Sequence, residues 1–341
     1  FQPFQLFLTK MNPPTLEPIA AAIAPELREL NDRILMSLSS PNDMMNGIVR
    51  EYLRRKGKQI RPILVILSAR LFGDKTTQKV ISAAASVEML HNASLIHDDV
   101  VDESKLRRNE PTLNGIWDNH IAVLVGDFFT STSLQLASAT DDLRVINTIA
   151  NLGRRLAMGE LDQIYNARYH RLSEQAYFQT IDHKTASLFV ACADMGAFAA
   201  NVDNDDPRLE ALRTFARNLG LCFQITDDIF DYYPRQAEIG KPTGNDLREG
   251  KVTLPLLSVL LRPDAPGRDR MLALLSKDSL STEEIAVLTK YAIDNGGIDY
   301  SREKIQQLAD AAARALDAAF DDCEARRALH NLLLHVIHRS K

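Results

Sequence analysis

The chain is poor in the residues that would tie it to an oxidising compartment, a bilayer or a polyanion. Only three cysteines stand among 341 residues, at Cys192, Cys222 and Cys323, far apart and without metal-ligand spacing. That excludes a disulfide framework and a zinc knuckle, and reads as reduced, buried small residues of a cytoplasmic protein. No uninterrupted apolar run approaches the roughly 18 residues that span a bilayer. The formal net charge is -5 and no basic stripe with interleaved aromatics is present, which argues against nucleic acid as a partner. No Gly/Ser/Pro-rich linker divides the sequence and no repeat period is visible, so residues 11–341 are expected to form a single domain. Residues 1–10, FQPFQLFLTK, carry their charge after the apolar stretch and lack a small-residue cleavage site, so they read as a tag or upstream extension ahead of Met11.

Helical periodicity fills what remains. Apolar residues recur at spacings of three and four in segments 80–99, 121–139, 173–200, 209–231, 281–295 and 301–320, while alternating strand patterns are missing. Breaks fall at Gly73-Asp74, Pro111, Pro207, Pro234, 240–244, 263–267 and Gly296-Gly297. The expected fold is all-α, a bundle of about ten or more helices around a cavity that can host a site built from facing helices.

Two of these segments end in the same acidic pattern, Asp98-Asp99-Val100-Val101-Asp102 and Asp227-Asp228-Ile229-Phe230-Asp231. In a helix the first and fifth positions stack one turn apart on one face, so each cluster offers convergent carboxylates to a hard cation. Magnesium binds in that manner, through one or two carboxylates, retained waters and substrate phosphate oxygens. Composition alone yields one D-D-x-x-D in roughly one chain in five, and two in a few per cent. The other pairs, Asp141-Asp142, Asp205-Asp206 and Asp321-Asp322, lack an Asp at the fifth position, and solvated acidic faces do not usually follow apolar runs. A metal-diphosphate clamp is the better reading.

Local cations flank the clamps. Gly57-Lys58-Gln59-Ile60-Arg61-Pro62 opens a helix whose free amides and charges suit phosphate oxygens. Arg107-Arg108 comes after the first clamp, Lys184-Thr185 interrupts the apolar segment 173–200, and 240–251 comes after the second clamp as a polar, glycine-rich loop. That loop is no Walker A motif, since Asn245 stands where Gly is required and Val252 comes directly after Lys251. Each of these features alone is ordinarily a solvated surface charge. Gln224, three residues before Asp227, can place a neutral dipole one turn below the metals; His91 lies seven residues before Asp98 on the same face, where a lone His is as often a structural hydrogen-bonder.

Taken in order, GKQIRP, HNASLIHDDVVD, RR, KT, FQITDDIFD and GKPTGNDLREGKVTLP strongly resemble the trans-isoprenyl diphosphate synthases, from about Glu51 to Leu261. Within that family the chain is most similar to long-chain, octaprenyl-type members that make quinone side chains. The resemblance implies Asp98, Asp102 and Asp227 as direct magnesium ligands, with Asp99, Asp228 and Asp231 shared between direct and water-mediated contact, and three ions with diphosphate bound. It implies that Arg107, Lys184, Lys241 and Lys251 hold the allylic diphosphate, and that Lys58, Arg61, His91 and Arg108 hold isopentenyl diphosphate. Thr185 and Gln224 would face the allylic carbon. A homodimer touching the membrane at most peripherally, to release product, is also implied. After Arg107-Arg108 the family usually places Gly; Asn109 stands here and is the next most tolerant residue for a left-handed turn.

Product length is expected to be set along the helix carrying the first clamp. Steps of four back from Asp98 give Ser94, Leu90 and Ser86, about 6 Å apart. Short-chain members block this path with bulky aromatics one turn below the clamp, whereas Ala93 and Ser94 are small; a deeper floor would involve Phe128 or Phe129, for which ordinary core packing is the plainer role. The alternatives are a farnesyl- or geranylgeranyl-length synthase or one subunit of a heteromer. Class I terpene cyclases differ in their second metal motif and lack GKQIRP. An HD-type phosphohydrolase built on His91 and His97-Asp98 leaves the second clamp unexplained.

Overall fold

The computed structural model describes residues 15–54, 57–73, 75–107, 110–233, 244–277 and 279–339. Arg108, Asn109 and Lys241 lie outside the described residues, as do positions 1–14. Among the described residues the regular structure is all helical apart from one small ribbon. Helices α1 (Glu17–Ala22), α2 (Ala24–Ser37), α3 (Asp43–Leu53) and α4 (Ile60–Arg70) lead into α5 (Gln78–Val101), which carries the first clamp at its C-terminus. After the ribbon come α6 (Leu113–Ile116), α7 (Asn119–Ser138) and α8 (Leu143–Arg168). Next, α9 (Glu174–Ile181), a π-turn (Asp182–Ala186) and α10 (Ser187–Ala199) run as one interrupted rod, and α11 (Arg208–Phe230) carries the second clamp. The remainder is α12 (Asn245–Arg248), α13 (Leu254–Leu260), α14 (Arg268–Leu275), α15 (Thr282–Asp294), α16 (Gly297–Ala319) and α17 (Glu324–His338).

Local chemistry sets the helix starts. Thr77, Asp118, Asp142 and Ser173 each accept a hydrogen bond from a backbone amide in the first turn, and Ser281 with Glu284 forms a reciprocal capping box. Pro207 and Gly296 stand at the N-caps of α11 and α16, where the sequence places breaks. One apolar cluster runs from Ile19 to Val336. Its centre is α10, buried nearly all round and packed against α4, α8 and α11, while α5 lies along α7 and α11 along α16.

Three expectations are corrected. The strand pattern missing from the sequence exists as an antiparallel pair, β1 (Leu106–Arg107) with β2 (Glu110–Pro111); two-residue strands are too short to show alternation. Segment 173–200 is two helices around a π-turn. Cys323, expected to be buried, is only half-buried: it caps α17, its Sγ accepting from the Arg326 amide, whereas Cys192 and Cys222 are buried.

Among the described residues α7 is the helix whose length and mean hydropathy of 1.2 match a bilayer span. Here it packs on α5 instead. Ser86 Oγ donates to the Ser133 carbonyl and Ser133 Oγ to the Ser86 carbonyl, both at 2.8 Å and both fully buried. Ser86 thus serves helix packing rather than a channel wall. Ser133→Ala is expected to cost about 1–2 kcal/mol in urea unfolding, the worth of a buried hydrogen bond. A loss below about 0.5 kcal/mol would show the pair to be incidental.

Candidate active site

The first clamp occupies the last turn of α5, where the helix dipole turns its negative end toward the carboxylates and makes a cation welcome. Asp98 is half-buried, and Asp102 is the C-cap residue, its amide bonded to the Asp98 carbonyl at 2.8 Å. Burial pushes the Asp98 carboxyl up to about 6; Lys184 pulls it down, while Glu160 and Asp102 push it further up. Asp99 is engaged elsewhere: Arg107 reaches its Oδ1 through Nε at 2.9 Å and Nη2 at 2.8 Å, and Asn114 bonds its carbonyl. Arg107, expected on the allylic diphosphate, is therefore tied to the first clamp's middle carboxylate.

The second clamp differs in environment. Asp228 is 4% exposed. Its Oδ2 accepts from the Tyr177 hydroxyl at 2.6 Å and its Oδ1 from Gln224 Nε2 at 2.8 Å. Gln224 Oε1 in turn accepts from Thr185 Oγ1 at 2.7 Å. Burial raises the Asp228 carboxyl to about 7 against those two donors, with Asp227 and Asp231 adding repulsion. Asp227 accepts from Arg339 at 2.7 Å, and the same guanidinium lies 4.0 Å from the Phe223 ring centre. Asp231 accepts the Asn245 and Asp246 amides at 3.1 and 3.0 Å, holding the start of α12.

Cations bring the two sides together. Lys184 pairs with Glu160 on α8 and lies close enough to Asp98 to influence its charge. Lys251 sits 2.5 Å from Glu249 and 3.8 Å from Asp102; burial would lower its ammonium, but Glu249, Asp102 and Asp246 outweigh it and raise it. Lys184, Thr185, Gln224, Asp228 and Lys251 all line one cavity of about 380 Å³, whose far wall is apolar (Leu172, Leu257, Leu272, Leu275). Asp98 and Asp102 do not line it; they are linked to it through Lys184 and Lys251.

The remaining expected residues that are described do not line the cavity. Arg61, at the start of α4, lies 5.8 and 6.0 Å from the ring centres of Phe189 and Phe223. Lys58 is exposed just before it, after which Gln59 takes a left-handed turn. His91 is half-buried on α5. Leu90 and Ala93 are buried, Ser94 is half-buried with its hydroxyl on the His91 carbonyl, and Phe128 is half-buried. Phe129 is fully buried, edge-on to Tyr52 at 5.4 Å, while the Tyr52 hydroxyl donates to Asn92.

The donor set suits a hard divalent ion. It is all carboxylate, and Asp98 and Asp228 are raised chiefly by burial, with neighbouring carboxylates adding repulsion that a bound cation would relieve. Among the described residues no group of three or more His, Cys, Asp or Glu is disposed to hold a metal alone, so an ion here needs oxygens from water and substrate.

The polyprenyl synthetase family model matches residues 42–292. The chain belongs to this family. It is 32% identical over 325 residues to the octaprenyl diphosphate synthase of Haemophilus influenzae, covering 93% of this chain and 95% of the relative. A polyprenyl synthase from Caulobacter crescentus, solved with calcium and isoprenyl diphosphate, superposes with a TM-score of 0.85 at 31% identity, covering 97% and 99% of the two chains. A geranylgeranyl pyrophosphate synthase from Bacteroides thetaiotaomicron gives 0.80 at 36% identity, covering 94% and 98%. This polyprenyl synthetase is accordingly a prenyltransferase with the isoprenoid synthase fold.

Sequence reasoning missed several residues of the synthase's site. Glu160 and Gln163 are three apart on α8 and face Lys184, a spacing that could have been noticed. Tyr177 lies seven residues before Lys184, two turns along the same face. Asp246 sits within the glycine-rich loop 240–251, and its burial beside Asp228 and Asp231 raises its carboxyl well above the usual range. Arg339 carried no sequence signal at all.

These carboxyls set a pH dependence. An unfolded Asp loses its proton near 3.8, but folded Asp98 keeps it to about 6 and Asp228 to about 7. The folded form binds more protons across that window, so both groups favour folding below it and oppose folding as pH rises through it. Magnesium binds the deprotonated form and should reverse the penalty. Calorimetry should show a magnesium-induced rise in Tm at least twice as large near pH 8 as near pH 5.5, and Asp98→Asn should remove most of it. Equal shifts at both pH values would place the ion elsewhere.

Proposed function

We propose that the chain is a magnesium-dependent, cytoplasmic trans-polyprenyl diphosphate synthase whose product is longer than geranylgeranyl diphosphate, of octaprenyl type, serving quinone side chains. When bound, magnesium supplies positive charge to the leaving diphosphate through Asp98, Asp102 and Asp227, with Asp99, Asp228 and Asp231 behind them. Three ions are expected.

The chain's own residues divide the remaining work. Lys184, Lys251, Lys241 and Arg107 hold the allylic diphosphate, so its carbon–oxygen bond breaks with the electron pair leaving on oxygen. Fixed cations stabilise that growing charge more in the transition state than in the ground state. Lys58, Arg61, His91 and Arg108 hold isopentenyl diphosphate, whose double bond attacks the allylic cation to form the new carbon–carbon bond. The resulting tertiary cation then loses a proton to an oxygen of the departed diphosphate. Thr185 and Gln224 supply neutral dipoles beside the cation. Because Gln224 Nε2 is bonded to Asp228, its oxygen is left for Thr185 and the cavity, a geometry that steadies positive charge without capturing it.

The observation that carries the long-chain reading is the small size of Ala93 and Ser94. The Ser94 hydroxyl is satisfied on its own helix, so the position presents little more than a methylene. Similarity to both octaprenyl- and geranylgeranyl-forming proteins leaves product length to these residues. A homodimer is supported by exposed apolar side chains on α7 and α8, including Leu124 (60%), Leu161 (59%) and Tyr165 (53%). A long apolar product implies at most peripheral membrane contact at release.

Purified protein with magnesium, farnesyl diphosphate and isopentenyl diphosphate should yield products beyond the geranylgeranyl length by chromatography; a farnesyl or geranylgeranyl end point would overturn this reading. Ser94→Phe should shorten the product while magnesium dependence is kept. Unchanged product length in that variant would move the tail off this face of α5.

A further inference from the structure

The π-turn Asp182–Ala186 is the least regular piece of backbone at the site, and it carries Lys184 and Thr185. A π-turn is a rare, single-turn widening of a helix and needs support from its surroundings. Here the Ser187 amide bonds the Asp182 carbonyl, five residues back, instead of the His183 carbonyl four back. The buried Ser187 hydroxyl donates to the His183 carbonyl, four residues back, at 2.6 Å and so gives an oxygen of the widened turn a partner that its own amide does not supply.

The widened turn also needs room on two sides. On α8, a Cβ built at Gly159 would meet the Lys184 amide nitrogen at 2.8 Å and its Cα at 3.0 Å. On α11, a Cβ at Gly220 would meet the Ala186 Cα at 2.7 Å. Both obstacles are backbone, which no side-chain rotation can clear. Flanking charges tie the same turn down: Asp182 accepts from Arg217 at 2.6 Å, and His183 Nδ1 lies 3.2 Å from Asp162.

We propose that Ser187, Gly159 and Gly220 are positioning residues for prenyl transfer: one bonds the His183 carbonyl within the widened turn and two let that turn seat between α8 and α11. Together they aim Lys184 at the diphosphate and Thr185 at Gln224. The inference rests on the roles given above to Lys184 and Thr185.

Steady-state kinetics on purified variants, each checked by circular dichroism, test it. Ser187→Ala, Gly159→Ala and Gly220→Ala should each lower kcat at least tenfold while KM for isopentenyl diphosphate stays within twofold. Ser187→Thr, whose hydroxyl can still reach a carbonyl four back, should recover at least half of the lost rate. Gly153→Ala, on the same helix α8 with no atom within 4 Å of the added carbon, is the control and should match wild type. A kcat within twofold of wild type for folded Ser187→Ala, or equal losses in Ser187→Ala and Ser187→Thr, overturns the proposal. If the glycine variants do not fold, the Ser187 pair decides. Lys184→Ala separates the premise: full activity there would sink the assigned role of Lys184 whatever the other variants do.

Discussion

The site is governed by the cost of crowding carboxylates where water is scarce. Six aspartates in two clusters, joined by Glu160 and Asp246, cannot all be ionised and unpaired in a half-buried space. The structure meets this cost in a different way at each group. Asp99 takes Arg107, Asp227 takes Arg339, and Asp231 takes two backbone amides. Asp228 takes a phenol and an amide, while Asp98 and Asp246 hold their protons to higher pH. Cations brought by the substrate complex have to displace or join these internal partners, so the protein's own lysines and arginines are competitors as well as helpers.

That competition explains the arrangement of helices around the site. Lys184 leans on Glu160 from α8, Lys251 on Glu249, and both remain within reach of the first clamp. Neither is buried in a rigid pair, so each can turn to a diphosphate when one arrives. The cavity they line extends toward α13 and α14 rather than down α5. The helix expected to measure the product presents a closely packed surface here, with Leu90 and Ala93 buried and Phe129 held edge-on by Tyr52. A tail passing along α5 has to part those side chains.

Much of this was legible in the sequence because the chemistry is local. Asp98 with Asp102, and Asp227 with Asp231, are fixed by helical repeat alone, and Gln224 one turn before Asp228 does bond to it. The interruption at Lys184-Thr185 was visible as two polar residues in an apolar rod. Partners brought by tertiary contact were not visible: Tyr177 reaches Asp228 across 51 residues and Arg339 reaches Asp227 across 112. Nor could the sequence show that Arg107 faces Asp99, because the turn that folds it back is made by a two-residue ribbon too short to leave a pattern. Leu143–Arg168, the 26-residue helix that supplies Glu160 and Gln163, announces itself only as amphipathic.

The widened turn also bears on the rotational phase of α10. A π-turn takes up one residue more than a regular α-turn, so losing one from positions 182–186 would let the backbone close to α geometry with α10 near its present phase. Only Val190 and Asp194 on that helix are less than fully buried, and Asp194 meets Arg213 at 2.7 Å on the outward side. With that phase kept, the carboxylate stays outward on Arg213 after a one-codon deletion, and the change falls on the turn that carries Lys184 and Thr185. A deletion there thus acts on the site and spares the core packing of α10.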